Sequence, residues 1–203
     1  RDLKEIYFEN GGVIKDSINT IESKEGKYFL ESSKYSFKDL VKIYNYDFKI
    51  KSQKLDYLTE SENAFFYGPT VINGKDYTIF CEKGYYNTKT KSGYFVKKSK
   101  IFYDKRKIEG DSLVFDDFKK YASGTKNVII TDTINKTIIK GDYGQVFKDL
   151  DSAMITKNSY AIKIFQRDSL FIKADTLFAI GPENNRLVKG RYNVNFIKSE
   201  MSG

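Results

Sequence analysis

Isoleucine stands at positions 21, 50, 79, 108, 139 and 172, and two places after each comes a small residue: Ser23, Ser52, Cys81, Gly110, Gly141 and Ala174. The next residue is polar or charged, and Lys24, Gln53, Glu82, Asp111, Asp142 and Asp175 serve as anchors, spaced 29, 29, 29, 31 and 33 residues apart. Two places beyond each anchor stand Gly26, Leu55, Gly84, Leu113, Gly144 and Leu177. Four places beyond, Tyr28, Tyr57, Tyr86 and Phe115 give way to Val146 and Ala179. Self-similarity at such a period means stacked units, because one short unit cannot bury its apolar face alone.

The constrained positions change parity at the anchor. A strand alternates with period two, so the chain must bend or bulge there and resume with its other face inward. The small residue before the anchor suits that bend. A second strand precedes each first one, carrying Val41 and Ile43, Thr70 and Ile72, Val128 and Ile130, and Ile162 and Ile164. Turn-rich pieces such as "INGKD", "YDKRK" and "TDTINK" separate them. "SFKDLVKIY" at 36–44 mimics a helix, but the unit alignment makes 41–43 a strand. The expected fold is all-β: an elongated stack of two-strand units of about 29 residues, as a solenoid, β-helix or folded-over jelly roll, with strand direction left open. Residues 1–203 read as one such domain, and the part-units at both ends read as a stretch of a longer array. Glycine alternating with leucine after the anchor hints at unfilled interior volume, though a taper between two sheets would leave the same pattern.

Composition closes off several kinds of chemistry. Tyr 16 and Phe 16 against two prolines favour strands. Histidine is absent, which removes the Ser-His and Cys-His engines and the commonest metal ligand. The single cysteine, Cys81, falls in the small-residue column and reads as core packing. "YGPT" at 67–70 reads as a turn feeding a strand, with Pro69 holding Gly68 extended. Gly-rich phosphate loops, paired-cysteine metal spacings and membrane-length apolar runs are missing, so no cofactor, metal or membrane span is expected. The net charge of +8 invites a polyanion, but no lysine cluster exceeds "VKKSK" at 96–100, and stacked aromatics predict a filled core before a nucleic-acid platform. Asp111 and Asp142 look catalytic in isolation. As members of a six-rung column they read as bend residues, a calcium-binding ladder of acids being the weaker alternative, and Asp116–Asp117 sits in an ordinary turn context. No enzymatic activity is expected.

The phrases "FFYGPTVI" at 65–72, "IFCEKGYYNT" at 79–88, "IEGDSLVFD" at 108–116, "NVIITD" at 127–132 and "DSLFIKADTL" at 168–177 resemble the OstA-like proteins of the LptA family, in their Bacteroidetes-type version. The resemblance runs from "IESKEGKYF" at 21–29 to "YNVNFIKS" at 192–199. It implies a V- or taco-shaped jelly roll of antiparallel strands in the periplasm of a Gram-negative cell, associated with outer-membrane assembly. It also implies a bridge that carries lipopolysaccharide, the acyl chains of lipid A lying between two sheets. Partners would be other Lpt-type bridge components, or a second copy through edge-strand pairing. Carried over by position, the inward lining would be Ile21, Val41, Ile43, Ile50, Ile79, Ile108, Val128, Ile130, Ile139, Ile162, Ile164 and Ile172. Two other readings stand beside it: a non-catalytic envelope scaffold or adhesin-type solenoid, and a polysaccharide-active β-helix enzyme.

Overall fold

The computed structural model describes residues 4–15, 17–165, 168–181 and 187–200. Its regular structure is almost entirely β, apart from a single 3₁₀ turn at Leu30–Ser32. The chain divides into two compact units, Arg1–Ser99 and Lys100–Gly203. The first holds β1 (Glu5–Phe8), β2 (Gly12–Lys15), β3 (Thr20–Ser23), β4 (Glu25–Phe29), β5 (Lys34–Tyr44), β6 (Lys49–Leu58), β7 (Asn63–Asn73), β8 (Tyr77–Asn87) and β9 (Ser92–Val96). The second holds β10 (Lys100–Tyr103), β11 (Arg106–Glu109), β12 (Ser112–Asp116), β13 (Tyr121–Asp132), β14 (Thr137–Phe147), β15 (Ser152–Ile164), β16 (Asp168–Ile180), β17 (Leu187–Arg191) and β18 (Asn195–Glu200). Within each unit the strands pair antiparallel with their sequence neighbours, which settles the direction that periodicity alone could not.

Every long strand is interrupted where the repeat changes parity. Between β5 and β6, Lys38 pairs with Lys54 and Val41 with Ser52, so Asp39 and Leu40 stand opposite the single residue Gln53. The same two-against-one bulge sets Gly68 and Pro69 against Glu82, Lys126 and Asn127 against Asp142, and Lys157 and Asn158 against Asp175. An extra residue on one strand bends it and increases its twist.

The bend folds each strand back over itself. Tyr77 and Tyr86 lie nine residues apart on β8, a span of roughly 30 Å in an unbroken strand. Their hydroxyls nevertheless hydrogen-bond at 2.6 Å, both rings buried. The inward faces of the two strand halves thus pack against one another, as sheets of a sandwich do.

Register turns the isoleucine column into a continuous row. In the first unit Ile14, Ile21, Ile43, Ile50, Ile72 and Ile79 are successive cross-strand partners. In the second the row runs Ile101, Ile108, Ile130, Ile139, Ala161, Ile172 and Phe196. Facing it across the fold, the first unit aligns Gly26, Phe37, Leu55, Phe66, Gly84 and Phe95. The second aligns Leu113, Gly124, Gly144, Ile155, Leu177 and Gly190.

Replacing Ile79 with Ala should cost about 2–5 kcal/mol in urea unfolding, because a fully buried side chain leaves a cavity between two packed layers. Ile164→Ala, on an exposed position, should change stability by less than about 0.5 kcal/mol.

Candidate functional site: the folded interior and its open end

Ten of the twelve residues expected to face inward do so. Ile43, Ile50, Ile79, Ile108 and Val128 have no solvent exposure at all, and Ile21, Val41, Ile130, Ile139 and Ile172 are buried. Ile162 and Ile164 are a correction: Ile164 is 40 % exposed and Ile162 lies on the same outward parity of β15. The inward positions there are Ser159 and Ala161, both fully or almost fully buried. Strand register pairs Ile139 with Ala161 and Ala161 with Ile172, so the inward pair stands 31 residues after Val128 and Ile130, whereas matching by residue type selects the wrong face. Alternation makes that slip reverse the whole strand.

The glycines beyond the anchor do not mark empty space, which corrects the hint of unfilled volume. A Cβ at Gly26 would collide with the rings of Phe8 and Phe37. One at Gly84 would meet Phe95, and one at Gly144 would stand 2.8 Å from Val128 and 2.9 Å from Ile155. A neighbouring rung fills each glycine's volume, as close-packed interiors require. Through the middle of both units the interior is therefore dry and filled.

The anchors take a structural position. Their side chains point outward, and the backbone N–H groups of Lys24, Glu82, Asp111 and Asp175 donate to the carbonyls of Asp39, Lys97, Lys126 and Tyr192 at 2.9–3.2 Å. Each of those carbonyls belongs to the first of two consecutive left-handed residues: Asp39–Leu40, Lys97–Lys98, Lys126–Asn127 and Tyr192–Asn193. The carboxylates then clamp the second member. Asn127 Nδ2 donates to Asp111, Asn158 Nδ2 to Asp142 (2.7 Å) and Asn193 Nδ2 to Asp175 (2.9 Å). At the third rung Lys98 Nζ donates to Glu82 at 2.7 Å and holds that carboxyl below its usual range. These side chains point to solvent and bond the side chain of the neighbouring bend. "YGPT" is likewise a bend inside β7 rather than a turn before it. Among the described residues no group of three His, Cys, Asp or Glu side chains is placed to hold a metal ion.

The interior opens at the first rung. A cleft of about 270 Å³ is lined by Ile6, Phe8, Ile14, Tyr28 and Tyr35 with the Lys27 stem. Here the column residues Ile14, Tyr28 and Tyr35 are half-buried, in contrast with their buried equivalents further along. Tyr28 and Tyr35 stack with ring centroids 4.2 Å apart, and Tyr35 stacks on Phe37 at 5.5 Å. The Phe8 ring occupies the space above Gly12 and Gly26. Lys27, which lines the cleft, pairs with Glu5 at 2.5 Å, and this places one ionic pair beside the apolar opening.

Comparison with known proteins bears on this end of the molecule. The family model described as OstA-like protein matches residues 2–53, which are 52 of the chain's 203 residues and contain the whole of β1 to β5. No curated protein matches the chain. No helix among the described residues is long and apolar enough to cross a membrane.

Cys81 is buried, and desolvation pushes its thiol up to about 12 from 9.0. An acid whose folded pKa is raised keeps its full contribution below the unfolded pKa and loses it as pH climbs towards the folded one. Between pH 9 and 12 the folded chain should therefore lose about 1.4 kcal/mol per pH unit through this group. Chemical denaturation of the wild type and Cys81→Ala should show the alkaline limb less steep in the variant by that amount. The native thiol should also resist alkylation at pH 8 until denaturant is added.

Proposed function

We propose that this chain is a non-catalytic carrier for an acylated lipid of the lipopolysaccharide class, seated by its acyl chains at the open end of the folded interior. The observation that carries the reading is the cleft at the first rung. It is lined by aromatic and aliphatic side chains, it continues the buried rows, and it has the Lys27–Glu5 pair at its edge. Apolar pockets with a few polar groups at the rim suit ligands with alkyl bodies and charged heads. The match to OstA-like proteins over residues 2–53, which supply all nine residues of its lining, supports the same assignment.

Entry would follow from geometry. The Phe8 ring fills the volume that two glycines leave, and it sits on a four-residue strand paired with β4. Displacing that one ring would free the space over Gly12 and Gly26, next to Tyr28 and Tyr35, for an alkyl chain. The finer parts of the reading belong with this proposal: a periplasmic location, a place in a bridge towards the outer membrane, and hand-over to Lpt-type partners. Edge-strand pairing with another bridge component or a second copy belongs with it too.

A second reading has its own support. The filled middle, with Leu55, Phe66, Phe95 and Phe115 fully buried, is what a plain envelope scaffold would require. Photo-crosslinking separates the two. With p-benzoylphenylalanine in place of Tyr35 or Phe8, ultraviolet light should couple lipopolysaccharide several-fold more than the same probe at outward Lys107. Equal labelling at all three positions would leave the scaffold standing.

A further inference from the structure

A second cleft, of about 550 Å³, opens at the hairpin end of the first unit, away from the residues of the acyl cleft. The β5–β6 turn builds it. Asn45 Oδ1 accepts from the backbone N–H groups of Asp47 (2.8 Å) and Phe48 (3.1 Å), and Asn45 Nδ2 donates to Asn19 at 3.0 Å. That Asx turn lifts Tyr46 off the sheet, where its side chain is 91 % exposed. Lys75, from the β7–β8 turn, lies over one face of the Tyr46 ring at 4.6 Å. Lys49 stands between Tyr44 and Asn73 in the strand register, exposed at the floor.

The two carboxylates of this cleft are already satisfied. Glu22 accepts from Tyr44 OH at 2.6 Å and Lys42 Nζ at 3.1 Å. Asp47 accepts from Lys91 at 2.7 Å and pairs with Lys75 at 3.1 Å. Both are held below their usual ranges, Glu22 by Tyr44 and then Lys42, Asp47 by Lys91 and then Lys75. Three ammoniums (Lys42, Lys49, Lys75) and two carboxylates line the cleft, and Lys91 pairs with Asp47 from outside the lining, so the cluster with Lys91 has an excess of two positive charges. A phosphate monoester carries about −1.5 to −2 at neutral pH. An exposed aromatic ring beside that excess adds a flat apolar surface, which a bare anion does not need and a sugar ring can use.

We propose that this cleft binds a phosphorylated saccharide, with Lys49 and Lys75 taking the phosphate and Tyr46 stacking on the sugar. The volume falls within the range of small-molecule sites and accommodates one or two sugar rings. The carboxylates act as positioning groups: Asp47 fixes Lys75 and Lys91, while Glu22 fixes Lys42 against the wall. The site stands on its own residues and does not require the interior to carry a lipid.

The experiment is a titration of the isotopically labelled 203-residue chain, read by backbone amide shifts. Glucose 1-phosphate should shift residues 44–49 and 73–75 saturably at millimolar concentration. Lys49→Gln with Lys75→Gln should weaken it tenfold or more, and Tyr46→Ala at least threefold, with amide spectra otherwise unchanged. Inorganic phosphate should bind more weakly than the sugar phosphate. A phosphorylated glycolipid in detergent micelles tests the source: tighter binding than glucose 1-phosphate assigns a lipid headgroup, weaker binding a soluble glycan. Unphosphorylated glucose binding equally well, shifts scattered over the molecule, or a double variant that binds like wild type would each overturn the proposal. None of these outcomes bears on crosslinking at Tyr35, so the two assignments fail separately.

Discussion

The fold depends on one local arrangement repeated along the chain: two residues on one strand set against a single anchor on the next. In most of these bends both members of the pair are left-handed and not glycine. Left-handed geometry costs an ordinary L-residue about 1–2 kcal/mol, and Asn and Asp tolerate it best. The chain meets that cost three ways. It places Asn at the second position of three bends (Asn127, Asn158, Asn193) and clamps each to the preceding aspartate. It ties Lys98 to Glu82 by an ion pair. On β7 it avoids the problem: Pro69 cannot take positive φ, and Gly68–Pro69 bends with ordinary φ while Gln53 packs against Gly68.

What the bends make possible is burial on both halves of every strand. A straight strand of this amphipathic pattern would present isoleucine on one face and leucine or tyrosine on the other. Changing parity at the anchor puts both sets on the same side, and folding brings them together. The interior then fills by complementation between rungs. Phe37 and Phe8 stand over Gly26, and Phe95 stands over Gly84, while Ile155 and Val128 close on Gly144. Large residues on one rung answer small ones on the next, so a uniform column would have overpacked the centre.

Much of this was legible in the sequence because the isoleucine, small and anchor columns recur at nearly constant spacing. The parity change implied the bend, and the recurrence of the anchors implied a place at the bends for Asp111 and Asp142. Less was legible where the spacing lengthens. Ser159 and Ala161 carry the inward face of β15, but their small polar or weakly apolar side chains give no signal against the adjacent Ile162 and Ile164. The partner of the anchor was also hidden, since Asn127 lies sixteen residues from Asp111 and is joined to it only by strand pairing. Filling of the glycine column could not be read at all, because it depends on which neighbour reaches across. The opening at the first rung has the same character: Tyr28 occupies the same column as buried Tyr57 and Tyr86, and nothing in its residue type separates it from them.

That last contrast sets the physical terms for any ligand. Inserting an alkyl chain between fully packed rungs would have to displace side chains such as Phe66, Phe95 and Ile50, each already making its full set of dispersion contacts. At the first rung the half-buried Ile14, Tyr28 and Tyr35 have not completed theirs, and a guest adds contacts while moving little beyond Phe8. A ligand that continues the core is therefore favoured beside these half-buried side chains and opposed between fully packed rungs. Travel further along the interior would need the two strand halves to part.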